Sequence, residues 1–385
     1  MKLMWMMIFF VLPVVGLAYV LWHIWQLLPF ANPWRWAAVA VALLLFLTMF
    51  LGFSGAIERM PLNVATAVYE TGNSVIFILL YLVMLFLLLD IGRFVHLVPH
   101  SWLLSNGFTS VGVLVVMTAI FVYGNIHYNH KERVPLEISI RKNIGVKSLK
   151  IVLLSDLHLG YHNRRAEFHK WVDRINVEHA DLILVGGDII DISVRPLIEE
   201  RVADEFRRLN APVYACLGNH EYYSGEPLAR QFYKDAGITL LRDSVAKALG
   251  ISIIGRDDRT NVRRRPLSEL MRGIDRNRDF TILLDHQPYH LEEAERNGVD
   301  FQFSGHTHHG QVWPASWITD AIYEDAFGPL TKGATQYYVS SGMGIWGGKF
   351  RIGTRSEYVV LTVRANSLFT RSFACTSGSS SPRME

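Results

Sequence analysis

Long apolar runs fill the first third of the chain, and short apolar segments alternate with polar ones after it. A helix needs roughly 20 apolar residues to cross the hydrocarbon core of a bilayer. Four runs approach or exceed that length, namely Leu3 to Leu28, Trp36 to Phe53, Ser74 to Leu97 and Leu104 to Gly124. They lack a polar face, which disfavours the alternative of buried helices in a soluble protein. We expect about four transmembrane helices within residues 1–125.

The charges that flank these runs bear on orientation. The first run resembles a signal peptide, but its length and the span that follows favour retention as an anchor. With four spans, Lys2, Arg59 and the basic stretch at Lys131 share one side of the membrane. Arg35 and Arg93 lie on the other. The positive-inside rule then predicts a multi-pass protein of the inner or plasma membrane whose later residues are cytoplasmic. A cleaved first helix or a re-entrant span would reverse that orientation.

Two ionisable residues stand one helical turn apart near the end of the third run, Asp90 and Arg93. At that spacing and depth the pair is expected to neutralise itself and extend toward the interface. The alternative is a transport role, since ionisable groups inside a membrane are often functional.

The remaining sequence predicts an α/β domain. Residues 126–147 are read as a linker and a first strand, residues 148–366 as the domain, and residues 367–385, rich in Ser and Gly, as a disordered tail. Strands and helices alternate, with strands at Leu149–Leu154, Leu182–Val185 and Val213–Leu217 and helices at Arg165–Glu178 and Pro196–Leu209. In such folds, ligands collect beyond the carboxyl ends of the strands.

Composition limits the classes of partner. The 385 residues carry a formal net charge of only +3, too little to indicate a nucleic-acid partner. The two cysteines, Cys216 and Cys375, are far apart and form no thiolate motif. Cys216 is expected to be a buried apolar residue.

Polar donors follow several of the apolar segments. They are Asp156, His158, Asp188, Asn219, His220, His286, His306 and His308. The last two belong to the turn Gly305-His306-Thr307-His308-His309-Gly310, directly after the apolar segment Phe301 to Ser304. Carboxylate, amide and imidazole donors without thiolate suit Mn²⁺, Fe or Zn²⁺. The sequence therefore predicts a metal site built from several loops.

These residues resemble the calcineurin-like metallophosphoesterases. The family blocks D-x-H, G-D-x-x-D, G-N-H-[ED], H and G-H-x-H occur in that order, from Asp156 to His308. Gly310-Gln311 and the segment Val339 to Gly344 are similar to a bacterial branch typified by YkuE-like and YaeI-like proteins. The resemblance covers roughly residues 130 to 365, and it implies a β-sandwich flanked by helices.

The resemblance also implies two divalent metal ions that share Asp188. Asp156, His158 and His308 would complete one site, and Asn219, His286 and His306 the other. Two cations about 3.5–4 Å apart can turn a shared water into hydroxide for attack on phosphorus while they hold the phosphoryl oxygens.

His220 adjoins the ligand Asn219 without being needed in either metal site. We read it as a general acid or as a stabiliser of the phosphoryl oxygens, and the alternative is a structural histidine in a tight turn. Asp191 and Glu221 are read as residues that orient the ligands. His309 departs from the branch, which often has glycine there. It is read as a substrate contact or a solvated loop residue.

Other residues leave alternatives open. His162 and His290 either approach the same cleft or are ordinary loop residues. Trp313, Trp317 and their neighbours form either an apolar wall for an acyl chain or core packing. The basic stretch is either a solvated loop or a surface for anionic headgroups or phosphate, and it comprises Arg256, Arg259, Arg263, Arg264 and Arg265.

The most consistent interpretation is a membrane-anchored dinuclear phosphoesterase. Because the anchor places the site near lipid, we expect a phospholipid or a lipid-linked phosphate or pyrophosphate as substrate, with membrane lipids as partners. A soluble nucleotide or another small phosphoester is the alternative. A non-catalytic membrane scaffold is disfavoured because every ligand position is filled, and a transporter is disfavoured because the spans contain few polar residues.

Overall fold

A computed structural model describes residues 2–365. The predicted disordered tail and Cys375 lie outside the described residues. Four long helices come first: α1 (Lys2–Leu27), α2 (Asn32–Phe53), α3 (Leu62–Phe94) and α4 (Gly107–Asn129). Within the described residues, Asn32–Gly52, Leu62–Phe94 and Gly107–Asn129 are long and apolar enough to cross a membrane, and Val11–Leu27 is a shorter apolar segment.

The third helix differs most from its predicted bounds. It begins at Leu62, directly after Pro61, rather than at Ser74, and it ends at Phe94 rather than Leu97. Hydropathy locates only the apolar part of a helix, whereas this helix continues into a polar segment. Arg164 donates hydrogen bonds to Asn63 and Thr66 in that segment. The first half of α3 therefore contacts the later part of the chain as well as its neighbouring helices.

The other bounds shift less. α2 begins at Asn32 rather than Trp36, because Pro33 suits the first turn of a helix. α4 covers Gly107–Asn129 rather than residues 104–124, and the side chain of Asn106 caps it by accepting from the Thr109 backbone N–H at 3.0 Å.

Asp90 joins two of the apolar helices. Its Oδ2 accepts a hydrogen bond from the Tyr19 hydroxyl at 2.7 Å and lies 3.0 Å from His23 Nε2. Arg93 Nε is farther away, 4.0 Å from Asp90 Oδ1. The expected Asp90–Arg93 pair is thus the weaker contact, and Asp90 instead fastens α3 to α1.

Two six-stranded sheets form the rest of the structure. The first has the order β1-β12-β2-β3-β4-β5, and the second has the order β10-β11-β9-β8-β7-β6. The strands of the first sheet are β1 (Lys131–Ile140), β2 (Ser148–Leu154), β3 (Leu182–Val185), β4 (Val213–Ala215), β5 (Thr239–Leu240) and β12 (Ser356–Ala365). Those of the second are β6 (Ser244–Ala248), β7 (Ile251–Gly255), β8 (Phe280–Leu284), β9 (Phe301–Ser304), β10 (Gly328–Lys332) and β11 (Thr335–Val339).

The two sheets pack face to face. Ile151 and Leu153 of the first sheet share one buried cluster with Ile253, Ile282 and Phe303 of the second. Burial of these branched and aromatic side chains between the sheets is the main source of stability of a sandwich. The α/β fold predicted from the sequence, a β-sandwich flanked by helices and preceded by apolar helices, is confirmed.

Further helices flank the two sheets. They are α5 (Arg165–Asn176), α6 (Arg195–Glu199), α7 (Val202–Phe206), α8 (Asn219–Tyr223), α9 (Glu226–Asp235), α10 (Leu267–Leu270), α11 (Glu292–Asn297) and α12 (Ala315–Ile322). The single helix predicted at Pro196–Leu209 is two helices, α6 and α7. Arg201 separates them with a positive φ of 56°, which a continuous helix cannot contain.

The sheet begins earlier than the predicted domain start at residue 148. β1 follows α4 almost at once and pairs in parallel with β12 over its whole length, from Lys131 opposite Ser356 to Ile140 opposite Ala365. The membrane region therefore continues directly into the first sheet.

Arg351 connects three parts of this structure and is fully buried. Its side chain donates to the carbonyl oxygens of His308 at 2.7 Å and Gly344 at 3.0 Å, and its backbone N–H donates to Gly124 of α4 at 2.9 Å. A buried guanidinium is tolerated only when its donors are paired, as here. Arg351 thereby fixes the histidine turn relative to α4.

Candidate metal centre

The polar residues that follow the strands converge on one buried place. Asp156 and His158 follow β2, Asp188 follows β3, and Asn219 begins α8 just after β4. From the second sheet, His286 follows β8, while His306 and His308 follow β9. β2, β3 and β4 run in parallel, as do β8 and β9, so the carboxyl ends of each set lie at one edge.

Asp156, His158 and His308 form a first cluster. One ligand atom from each lies within 4.8 Å of the others, and all three residues are buried. His308 Nε2 is 3.4 Å from Asp156 Oδ1 and 3.1 Å from His158 Nε2. The three side chains therefore aim donor atoms at a common point.

Asp188, His286 and His306 form a second cluster by the same measure. Asp188 Oδ2 is 3.0 Å from His286 Nε2 and 3.7 Å from His158 Nε2 of the first cluster. One carboxylate thus stands between the two groups. The amide of Asn219 is buried in the neighbouring turn.

Two buried atoms indicate that these clusters fit cations. Asn219 Oδ1 has no hydrogen-bond partner among residues 2–365, and His286 Nε2 lacks hydrogen-bond geometry although it lies 3.0 Å from Asp188 Oδ2. Buried polar atoms are seldom left unpaired, because desolvation without a partner costs about 1–3 kcal/mol. Their chemistry, imidazole nitrogen and amide oxygen beside carboxylates, is that of Mn²⁺, Fe or Zn²⁺ ligands. The residues present therefore fit a pair of such ions.

The electrostatics of Asp156 in the first cluster and of His306 in the second agree with that donor set. Burial raises the pKa of Asp156, but the His308 and His158 imidazoles outweigh burial and hold that pKa below its usual value. Burial and the neighbouring His286 lower the pKa of His306 to about 4. Asp156 is therefore a carboxylate and His306 a neutral imidazole near neutral pH, which are the protonation states that bind metal.

The backbone at the site is strained. Asp156, His158, Asp188, His306 and His308 all have positive φ, between 44° and 73°. Such conformations cost non-glycine residues of order 1–3 kcal/mol each and cluster at functional sites. The strain is held by the surrounding sheets and aims these side chains inward.

Two glycines let the turns approach each other. A Cβ at Gly218 would collide with the Asp188 carboxylate, and one at Gly305 would collide with the carboxylate of Asp156. Only glycine leaves room for these carboxylates at those positions.

Several contacts orient the ligand side chains. His286 Nδ1 is 2.7 Å from the Gly186 carbonyl oxygen, so Nδ1 donates and Nε2 faces Asp188. Glu221 accepts backbone N–H bonds from Gly218 at 2.7 Å, Ile190 at 2.9 Å and Asp188 at 3.1 Å. The Glu221 carboxylate thus ties the second turn to the third, which is consistent with the orienting role predicted for it.

Asp191 is the common partner of two histidines and a tyrosine. Its Oδ1 lies 3.3 Å from His158 Nδ1 and 3.1 Å from His220 Nδ1. Its Oδ2 accepts a hydrogen bond of 2.6 Å from the hydroxyl of Tyr69, in the first half of α3. The contact is buried. A residue of an apolar helix therefore reaches the carboxylate that orients His158 and His220.

Sequence reasoning did not anticipate Tyr69 or Arg351. Tyr69 lies 122 positions from its partner Asp191. The available signal was the polar character of the segment around it, which includes Glu70 and Asn73 and precedes the apolar run at Ser74. Arg351 lies in a glycine-rich loop, and nothing local indicates its burial.

The structure divides the remaining histidines. His162 is buried with Nε2 2.6 Å from the Ile345 carbonyl oxygen and Nδ1 3.5 Å from Asp191 Oδ2, so it does adjoin the centre. His309 turns away from both clusters, stacks on Phe327 and lies 3.3 Å from Asp320 of α12. His290 is exposed and pairs with Glu292 instead.

The basic stretch is largely neutralised. Arg256 is buried and bonds Asp285 and Glu293, and Arg264 also bonds Asp285. The expectation of either a solvated loop or a free basic surface is therefore wrong for these two arginines, because the sequence does not show how close Asp285 comes. Arg259 differs, since its guanidinium packs over the Tyr289 ring at 4.3 Å.

Comparisons with known proteins agree with this geometry. The calcineurin-like phosphoesterase family model matches residues 149–310. A metallophosphoesterase of Helicobacter pylori is 31% identical over 220 residues, which cover 56% of this chain and 60% of that protein. One from Aquifex aeolicus is 30% identical over 228 residues, which cover 56% of this chain and 85% of its own length.

A membrane protein is also among the relatives. A Danio rerio transmembrane protein with a metallophosphoesterase domain is 29% identical over 285 residues, which cover 68% of this chain and 64% of that protein. The chain thus spans less than two thirds of the Helicobacter and Danio proteins. With its fold, its ordered ligand turns and these relatives, the chain belongs to the calcineurin-like metallophosphoesterase family. The predicted family is confirmed, and the apolar helices together with the Danio relative support a membrane protein.

Tyr69→Phe tests the contact between α3 and the centre. The substitution removes the hydroxyl that donates to Asp191, so His158 is held less rigidly. We expect the affinity for Mn²⁺, measured by titration of the purified full chain, to fall about tenfold, as is common when a residue behind a ligand is changed. Tyr123→Phe is the matched control, because Tyr123 is an exposed tyrosine on α4. Equal Mn²⁺ affinities for the two variants would show that Tyr69 does not support the centre.

Proposed function

We propose that this chain is a membrane-anchored phosphoester hydrolase that uses two divalent metal ions and acts on a phospholipid or a lipid-linked phosphate or pyrophosphate. The observation that carries the proposal is the position of Asp188 between two buried ligand clusters. Family membership supports the reaction class, and the contact of α3 with Asp191 supports the choice of substrate.

The residues divide into two ligand sets. Asp156, His158 and His308 would hold one ion, Asn219, His286 and His306 would hold the other, and Asp188 would serve both. Bound there, two cations supply a water nucleophile at neutral pH and neutralise charge on the phosphoryl oxygens. The Asp188 carboxylate offsets the repulsion between two cations held close together.

His220 is suited to give a proton to the departing oxygen. Its backbone N–H donates to Asp188 Oδ1 at 2.9 Å, and its ring packs edge-on against His158 with centroids 4.5 Å apart. Asp191 lies 3.1 Å from Nδ1 and holds the ring in one orientation. The side chain is partly exposed, whereas Asp188 and His286 are buried, and it can therefore meet a substrate.

The position of the centre supports a lipid substrate. Gly72 of α3 packs against the backbone of Met49, close to the end of α2 at Phe53. Tyr69, which contacts Asp191, lies one helical turn closer to the N-terminus of α3 than Gly72. Because α2 matches the thickness of a hydrocarbon core, its end marks the membrane boundary. The metal centre then lies at the level of the lipid headgroups.

Charge supports a cytoplasmic domain. Both ends of a four-helix membrane region lie on the side of the sandwich, with Lys2, Arg59 and the basic stretch of Lys131 and Arg133. Arg35 and Arg93 lie on the far side. The excess of basic residues is on the side of the sandwich, and the positive-inside rule places the side with that excess in the cytoplasm. Added protease should therefore cleave the domain in inverted vesicles but spare it in intact spheroplasts, and the reverse pattern would contradict this orientation.

Hydrolysis by the purified full chain tests the reaction and the substrate class together. Lipid phosphates in mixed micelles, soluble nucleotides and aryl phosphate mono- and diesters would be compared with Mn²⁺, Fe²⁺ or Zn²⁺ added. We expect the highest kcat/KM on a lipid phosphate and a loss of at least about a hundredfold in Asp188→Asn, because Asp188 serves both ions. Asp235→Asn, at an exposed position on α9, is the matched control. His220→Gln should slow alkyl esters more than aryl esters, because the poorer leaving group needs the proton more.

The outcomes separate the parts of the proposal. A chain that binds no metal and is as inactive as Asp188→Asn on every substrate would contradict the reaction. A higher kcat/KM on nucleotides than on lipid phosphates would contradict the lipid substrate alone and favour the soluble phosphoester. Equal effects of His220→Gln on alkyl and aryl esters would remove its assigned role as proton donor.

A further inference from the structure

An exposed apolar surface follows the histidine turn directly. It comprises Trp313 and the α12 residues Trp317, Ile318 and Ile322, which are between 40% and 64% exposed. Contiguous apolar surface of this kind on a folded domain indicates a covered or membrane-contacting face. We call these four residues the α12 surface. It begins only a few residues after His308, a proposed metal ligand.

The α12 surface is attached to the transmembrane helices. The hydroxyl of Tyr81 on α3 donates a hydrogen bond of 2.6 Å to the backbone carbonyl of Trp313. The preceding residue, Val312, is fully buried in a cluster with Phe77 and Tyr81 of α3 and Met117 of α4. Both α3 and α4 are long and apolar enough to span a membrane. The segment thus lies against membrane-spanning helices and is continuous with their surface.

Its depth follows from the helix geometry. Tyr81 lies twelve residues beyond Tyr69, whose ring packs against Gly52 at the end of α2, or roughly 18 Å along α3. Side chains of a helix lean toward its N-terminus, so the Tyr81 hydroxyl lies nearer the boundary than its Cα does. Trp313 therefore lies on the order of 10–15 Å below the boundary, within the hydrocarbon of the leaflet next to the sandwich.

The backbone contacts of Trp313 suit that depth. Its N–H donates to the Ile352 carbonyl at 2.7 Å and its carbonyl accepts from Tyr81, so both polar groups are paired. Non-helical backbone is tolerated at membrane depth only when protein satisfies it in this way. The one charged residue of α12, Asp320, lies 3.3 Å from His309 of the histidine turn. The Asp320 carboxylate of α12 therefore lies beside the histidine turn.

The distribution of tryptophan gives a second, independent indication. Trp22, Trp34, Trp36 and Trp102 are exposed near the ends of the helices that lie far from the sandwich. Tryptophans at both headgroup levels are typical of membrane proteins. On the side of the sandwich, the exposed indoles of Trp313 and Trp317 lie outside the four helices, in the segment that descends beside α3 and α4.

We propose that the α12 surface is immersed in the leaflet next to the sandwich and is covered by lipid acyl chains. This immersion does not depend on the reaction that the protein catalyses. A further consequence rests on the proposed function: the acyl chain of a lipid substrate lies along this surface while its phosphate group occupies the metal centre. Substrate would then reach the centre from the bilayer rather than from water.

Spin labels test the immersion. Trp317→Cys, Ile318→Cys and Ile322→Cys would each be made in full-length protein that carries Cys375→Ser, labelled, and reconstituted in phospholipid nanodiscs at one chain per disc. Cys216 is buried and escapes labelling. Collision rates with oxygen, which concentrates in lipid, and with a water-soluble nickel chelate give the depth. Controls are Leu114→Cys, exposed on the transmembrane helix α4, and Val262→Cys on a loop of the sandwich, where the side chain is 93% exposed.

We expect labels on the α12 surface to give an oxygen-to-nickel ratio close to that of Leu114→Cys and at least about fivefold above that of Val262→Cys. A ratio like that of Val262→Cys at all three positions would overturn the proposal. So would protection from both reagents in liposomes together with dipolar broadening between labels, because a second copy of the chain would then cover the surface. Three positions guard against one variant failing to fold. Immersed labels on an inactive protein would contradict the proposed function and leave the immersion standing.

Discussion

The carboxylate of Asp188 faces His286 on one side and His158 on the other, and much of the structure is arranged to hold it there. Its oxygen Oδ1 accepts the His220 backbone N–H, and its own backbone N–H donates to Glu221. A side chain at position 218 would collide with the Asp188 carboxylate, and glycine avoids that collision. Burying these carboxylate oxygens and imidazole nitrogens side by side costs desolvation free energy unless cations bind them. Metal binding would therefore also stabilise the packing of the two sheet edges against each other.

The membrane region takes part in this arrangement. The first half of α3 leaves the apolar layer and delivers Tyr69 to Asp191, and α4 is bonded to the loop that holds Arg351. Arg351 in turn fixes the carbonyl of His308. Both transmembrane contacts end on groups that orient the centre. Loss of the membrane helices would therefore be expected to affect the centre as well as its location, which distinguishes this chain from a soluble domain tied to a simple anchor.

Sequence patterns predicted what depends on local order. Residues at the ends of neighbouring parallel strands meet at one edge, so Asp156 and Asp188 could be grouped from their positions along the chain alone, whereas His286 follows a strand of the second sheet. Contacts across long separations could not be predicted in this way. Tyr69 lies before the predicted apolar run, in the polar first part of α3, and the start of that helix depends on contacts that hydropathy does not record. The charge of Arg256 could be counted, but its neutralisation by Asp285 depends on packing.

The claim that two metal ions share one carboxylate is tested most directly by electron paramagnetic resonance of the full-length protein titrated with Mn²⁺. Two Mn²⁺ ions about 4 Å apart interact magnetically, as expected for a two-metal site. We expect a coupled multiline spectrum to replace the six-line signal of isolated Mn²⁺ as the second equivalent binds. Two equivalents that bind with only isolated six-line signals, or saturation at one equivalent, would contradict the claim.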